Sequence, residues 1–220
     1  VDTKIPHIPI VAEGLYKKDL YAISTTNWQP YDWSINNVAL AEQLHTSLAF
    51  WQGGQSETAF KMWESALVDS MYLGASPGGF EQLSFYDAMR GELYRDFADP
   101  IGMTSRTLVE GLFGILPNAL ENRLTIQPGF PKQWDNVSLE IPDVSFSFKR
   151  NNNTDSYQIK PNFSTKMDLK LVVNIPYDNI KSVTINGEKA TWKIFDAVGN
   201  PQLIIESPFK ENYNIDISWD

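Results

Sequence analysis

The sequence runs to 220 residues, enough for one large or two modest cores, and its formal charge of −9 leaves no basic stripe to displace the counterions of a nucleic acid. It has no Cys and two His, His7 and His45, so disulfides and thiolate metal sites are excluded and a His-built metal centre or Ser-His-Asp triad is disfavoured. No apolar run approaches the ~20 residues that cross a bilayer; the opening on Val1 rather than Met, with no signal peptide, is expected of a processed chain or a piece of a longer one.

Residues 1–26 show no hydrophobic period, and Pro6 and Pro9 suggest an extended lead-in. In NWQPYDWS, Asp32 is a natural turn or cap residue before the first helix. It can equally stand with Trp28, Gln29, Tyr31 and Trp33 at the mouth of a pocket beside a helix N-terminus. From Ser34, the apolar residues Val38, Ala41, Leu44, Leu48 and Trp51 recur at three- and four-residue steps, one face of a helix stopped by Gly53-Gly54. A second helix carries Ala59, Met62, Trp63, Ala66 and Leu67 inward, and the short connection predicts an antiparallel pair. A third is expected over Thr104–Ile115, where Gly111 and Gly114 each cost about 1 kcal/mol relative to Ala unless a neighbour packs closely there.

Between the second and third helices, Gly78–Gly102 mixes carboxylates, arginines and aromatics: Phe80, Glu81, Phe85, Tyr86, Asp87, Arg90, Glu92, Tyr94, Arg95, Asp96, Phe97 and Asp99. Glycosidic hydrolysis needs two carboxyl groups facing the scissile oxygen, one donating a proton and one activating water or attacking carbon. Neighbouring aromatics desolvate the acid and hold the sugar ring. On that reading Glu92 or Glu81 is the base, Asp96 or Asp99 orients it, and Arg90 and Arg95 keep one carboxylate ionised. On the plainer reading Arg90 pairs with Glu92 or Asp87, Arg95 pairs with Asp99, and the aromatics fill the space under the loop.

After Pro117 the period changes to two. LTIQPGF, VSLEI, VSFSFKR, SYQIKPNF, MDLKLVVNI, SVTING, TWKIF, QLIIES and YNIDISW read as short strands of an antiparallel β-sandwich. Asn186-Gly187 marks a hairpin turn and Asn151-Asn152-Asn153 a loop tip. LPNALENR, residues 116–123, is the expected connection between a helical region over 1–117 and a sandwich over 118–220. No internal repeat is present.

The stretch NWQPYDWSINNVALAEQLHTSLAFWQGGQSETAFKMWES resembles the late helical hairpin of glycosidases built on an (α/α)6 toroid, as in trehalase-like enzymes. RGELYRDFADPIGMTSRTLVEGLFGI resembles the element after it, a loop bearing a catalytic carboxylate, a Gly turn and the last helix. RLTIQPGFPKQWDNVSLEI is similar to the start of the sandwich that follows the toroid in rhamnosidase-like and disaccharide-phosphorylase-like enzymes, and the match extends to a bacterial family of large glycoside-degrading proteins. This resemblance implies an α+β, multi-domain chain: the last toroid hairpins, then a sandwich. It implies a glycoside hydrolase fragment with an inverting two-carboxylate mechanism, no cofactor, no metal, a carbohydrate substrate and a periplasmic or secreted home. Glu92 would be catalytic, with Glu81 as rival and Asp96 beside it; Trp28, Asp32, Trp33, Tyr86, Arg90 and Tyr94 would bind sugar. A toroid has twelve helices and this chain supplies three or four, so a missing N-terminal portion would carry the general acid. The rival expectation is a carbohydrate-binding or structural module in which Trp134, Trp192 or Trp219 forms a platform on an exposed sheet face.

Overall fold

The computed structural model describes residues 7–9, 21–23, 40–68, 98–175, 179–197 and 200–220. The chain divides into two compact units, Val1–Gly111 and Leu112–Asp220. Few helices and two antiparallel-rich sheets make it α+β.

In the first unit a short antiparallel ladder joins β1 (His7–Pro9) to β2 (Tyr21–Ile23). Helix α1 (Leu40–Gln52) buries Leu40, Gln43, Leu44, Ser47, Leu48 and Trp51, the three- and four-residue stripe that its sequence predicts. Helix α2 (Ser56–Leu67) follows after three residues and buries Ala59, Met62, Ser65 and Ala66. The two polar residues on the α1 stripe are not misplaced. Gln43 donates Nε2–H to the Met62 carbonyl at 2.9 Å, and Ser47 donates its hydroxyl to the Ala59 carbonyl at 2.6 Å. These bonds run oppositely along the two helices, so the pair is antiparallel, and they satisfy groups that burial would otherwise penalise. Leu40, Leu44, Leu48, Ala66 and Met103 close the core, with Met103 coming from α3 (Ala98–Arg106).

The third helix differs from expectation at both ends. It begins at Ala98 and passes at Thr107 into a π-helical segment, Thr107–Leu112, where the buried Thr107 hydroxyl bonds the Met103 carbonyl. Gly111 lies on the Trp51 indole so closely that a Cβ would overlap the ring. The glycine that weakens the helix is therefore what lets the indole in.

The second unit begins with a finding that the sequence hides. Ile115–Asn118 is not a helix end but β3, paired antiparallel with β4 (Arg123–Ile126) through a turn in which Asn122 takes φ 49°. Most of LPNALENR is thus a hairpin. Gly114 turns the chain into it at φ 64°, and a Cβ there would collide with the Gln127 backbone.

The remaining strands are β5 (Asn136–Ile141), β6 (Val144–Asn151), β7 (Thr154–Pro161), β8 (Asp168–Asn174), β9 (Ile180–Ile185), β10 (Glu188–Lys189), β11 (Trp192–Phe195), β12 (Gln202–Ser207) and β13 (Tyr213–Trp219). A six-stranded sheet has the order β10-β9-β13-β7-β6-β5, and a five-stranded sheet the order β11-β12-β8-β4-β3. Every neighbouring pair is antiparallel except β4 and β8, which are parallel. The period-two pattern becomes one buried face per sheet. Phe146, Phe148, Tyr157, Ile159, Val183, Tyr213, Ile215 and Ile217 line that of the first, and Leu124, Ile126, Leu169, Leu171, Leu203 and Ile205 that of the second. Asn186 and Gly187, at φ 53° and 82°, make the predicted two-residue turn. Asn152 (φ 52°) and Asn153 make the turn between β6 and β7. Between β12 and β13 the chain passes from one sheet to the other. There the Tyr213 hydroxyl accepts the Lys210 N–H at 2.9 Å and donates to the Pro208 carbonyl at 3.2 Å, fixing the corner.

Asp155 is the one fully buried carboxylate among the described residues. Arg150, opposite it across the β6–β7 ladder, holds it with two bonds, Nε to Oδ1 at 2.6 Å and an Nη to Oδ2 at 2.7 Å, while its guanidinium lies 5.5 Å from the Phe148 ring centre. This is the forked geometry that makes a buried carboxylate tolerable. Next to the pair, burial lifts the Tyr157 phenol well above its ordinary value of 10.0, the Asp155 charge adds to the rise and Arg150 opposes it.

Three outcomes are expected of equilibrium urea unfolding. Gly114→Ala costs about 3 kcal/mol or more, because a strained φ is combined with a backbone collision, whereas Gly187→Ala, with open space around it, costs about 1 kcal/mol. Arg150→Met costs about 3 kcal/mol by stranding a carboxylate that has no exposure; Asp155→Asn costs about 1 kcal/mol, because the guanidinium is 24% exposed and reaches water. The raised Tyr157 pKa favours the neutral phenol in the folded chain. Its contribution is therefore complete below pH ~10 and is lost as pH rises past the unfolded value, so stability declines above pH ~10 and Tyr157→Phe makes that decline shallower.

Candidate functional site

The candidate residues of the carboxylate loop, Glu81, Tyr86, Arg90, Glu92, Tyr94 and Asp96, lie outside the described residues, and so do Trp28, Asp32 and Trp33. No group of three or more His, Asp or Glu side chains that could hold a metal ion occurs among the described residues, and His45 is exposed on α1.

Of the three tryptophans expected as alternatives for a sheet platform, Trp219 is buried and Trp134 packs on the aromatic core. Trp219 is 2% exposed, because the alternation of β13 places it on the same buried side as Tyr213, Ile215 and Ile217. Trp134 is half-buried and stacked on Phe130, with ring centres 6.5 Å apart and planes inclined by 21°. Phe130 in turn contacts Phe113, Phe146 and Phe148, so Trp134 caps an aromatic core. Trp192 is half-buried on β11, the edge strand of the five-stranded sheet.

One concave feature of the second unit has polar side chains along its surface, with Leu139, Phe146, Ile159 and Tyr213 also in its lining. It lies on the solvent side of the six-stranded sheet, where cross-strand register sets short polar side chains in rows. One row runs Glu140, Ser145, Lys160 across β5, β6 and β7. The next runs Ser138, Ser147, Gln158, Asn214 and reaches β13. A concavity of about 550 Å³ opens over both rows, and an adjoining one of about 420 Å³ continues over the β5–β6 turn. They share Glu140, Ser145 and Lys160, so the second extends the first along the strands toward the β5–β6 turn. Within it the Ser145 hydroxyl donates to Glu140 Oε1 at 2.7 Å, and the Ser147 hydroxyl reaches Gln158 Oε1 at 3.4 Å. Serine, glutamine and asparagine each offer both donor and acceptor, so the floor can exchange hydrogen bonds in either sense with a ligand. The sequence displayed these residues as the polar half of period-two strands. It did not display which strands are neighbours, and that is what gathers them.

Comparison with known proteins bears on the fold. No family model matches the chain, and no curated protein matches it. Among solved structures it is similar to a β-L-arabinofuranosidase from Geobacillus stearothermophilus T6, with a TM-score of 0.35 and 12% identity over 84% of this chain and 32% of that one. It is also similar to α-L-fucosidase isoenzyme 2 from Paenibacillus thiaminolyticus, with a TM-score of 0.31 and 6% identity over 56% of this chain and 18% of that one. The likeness that carries weight is to the α-L-rhamnosidase from Dictyoglumus thermophilum, with a TM-score of 0.56 and 10% identity over 82% of this chain and 21% of that one. This chain therefore spans about a fifth of the length of the rhamnosidase and shares the fold of that part of it.

Proposed function

We propose that this chain is the C-terminal part of a carbohydrate-active enzyme, a glycoside hydrolase acting on an oligo- or polysaccharide. Helices α1, α2 and α3 belong to the closing hairpins of an (α/α)6 toroid, and β3–β13 form the β-sandwich that follows it in sequence. The observation that carries this reading is the fold shared with part of an α-L-rhamnosidase over 82% of the chain. A fold hosts many chemistries, so the activity is argued from the site.

In that site Glu92 is the carboxylate that activates water, Glu81 is its rival, and Asp96 and Arg90 tune it. Trp28, Trp33, Tyr86 and Tyr94 stack on or border the sugar, and Asp32 bonds its hydroxyls. The mechanism is two-carboxylate and inverting, with the general acid supplied by an N-terminal portion of the same protein.

Reducing-sugar release from a panel of oligosaccharides tests this, using the chain by itself and joined to its N-terminal portion. Glu92→Gln is expected to lower kcat about 10³-fold with little change in KM. Full activity in both Glu92→Gln and Glu81→Gln would sink the assignment.

A further inference from the structure

We propose that Asn186 is a site of covalent self-modification, deamidation through a succinimide ring closed by the Gly187 nitrogen, and that its bonds to the start of β13 hold the reaction off while the hairpin tip is closed. The proposal is independent of the carbohydrate-active reading above.

The sequence contains Asn-Gly once, at Asn186-Gly187. In the reaction the Gly187 main-chain nitrogen loses its proton and bonds to Cγ of Asn186, and the side-chain nitrogen leaves as ammonia. Water then opens the ring. Addition at Cγ gives aspartate; addition at the main-chain carbonyl gives isoaspartate, with the chain rerouted through the side chain. Water enters and ammonia leaves, and nothing is oxidised or reduced. A side chain on the residue after Asn crowds the attacking nitrogen, and glycine has none. Both residues are exposed on the tip that joins β9 to β10, and the space beside the Gly187 Cα is open, so water reaches the ring.

The closed tip opposes the attack in two ways. The φ values of 53° and 82° fit a type I′ turn, in which they are about 60° and 90° and ψ at the first position is about 30°. At that ψ the Gly187 nitrogen points away from Cβ of Asn186, so it must swing round before it meets Cγ. Asn186 is also tied down through both main chain and side chain. Its N–H donates to the Asn214 carbonyl at 2.7 Å, its Oδ1 accepts the Asn214 N–H at 2.7 Å, and its Nδ2 donates to the Asn212 carbonyl at 3.0 Å. The swing breaks these bonds. Opening is nevertheless within reach, because β10 is a two-residue strand at the sheet edge. The change also weakens the tie: in the aspartate product an oxygen replaces Nδ2, so two acceptors face each other at Asn212.

Peptide mapping by mass spectrometry of the 220-residue chain, incubated in mildly alkaline buffer with and without urea, tests the proposal. The peptide carrying Asn186 should gain about 1 Da and split into aspartate and isoaspartate forms. In urea Asn186 is expected to convert faster than any other Asn, and in native buffer about tenfold more slowly than in urea. Ala190→Pro removes the N–H that bonds the Val183 carbonyl at 2.9 Å, and so loosens β10 without touching the reacting atoms. It should raise the native rate about threefold and leave the urea rate unchanged. Another Asn converting first in urea, a native rate equal to the urea rate, or a native rate unmoved by Ala190→Pro would each overturn the proposal. The first two comparisons use the parent chain, so they decide the matter even where the variant fails to fold.

Discussion

A carboxylate with no exposure sits at the second position of β7, and the six-stranded sheet is registered on the guanidinium that meets it. Strand pairing by itself tolerates a slip of one residue, because every backbone bond can be remade. Here a slip would turn Asp155 outward and bring Ser156, Gln158 and Lys160 into the apolar layer. β7 pairs with β6 on one side and β13 on the other, so the error would spread to both. A buried ion pair of this kind adds little net stability against an apolar substitute, but it makes alternative registers costly. The hidden aromatic layer and the polar rows on the solvent side are two faces of that one register.

Close backbone approach plays the corresponding part elsewhere. Gly111 admits the Trp51 indole to the helical core, and Gly114 allows the turn that converts a helix into β3. In sequence both read as weak points of one helix. In the structure they are positions where a methyl group would not fit, and the helix ends because Gly114 leaves the right-handed region.

Local chemistry was legible wherever local physics decides. The α1 stripe, the Gly53-Gly54 stop, the Asn186-Gly187 turn and the period-two strands follow from spacing and turn residues alone. What depends on distant partners was not legible. Ile115–Asn118 becomes a strand because β4 pairs with it, and β4 lies parallel to β8 through residues more than forty positions away. Trp219 looks like a ligand platform in composition, yet the parity of β13 buries it. The polar rows could not be seen because they depend on register across four strands. Glu81 and Glu92, the carboxylates that the sequence singles out, lie outside the described residues, so their chemistry still rests on residue type and resemblance.

The order of the six-stranded sheet also governs how it can form. β5, β6 and β7 make a meander of neighbours in sequence, and β9 and β10 make a separate hairpin. Only β13 joins them, pairing with β7 on one edge and β9 on the other. Two partial sheets can assemble early from local contacts, but neither closes until the latest strand arrives at its centre. Its pairing with β7 closes a loop of more than fifty residues, a large entropy to lose before the first contact rewards it. Tyr213–Trp219 is thus the strand on which the continuity of the whole sheet depends, and without it each ribbon would present an open, unpaired edge.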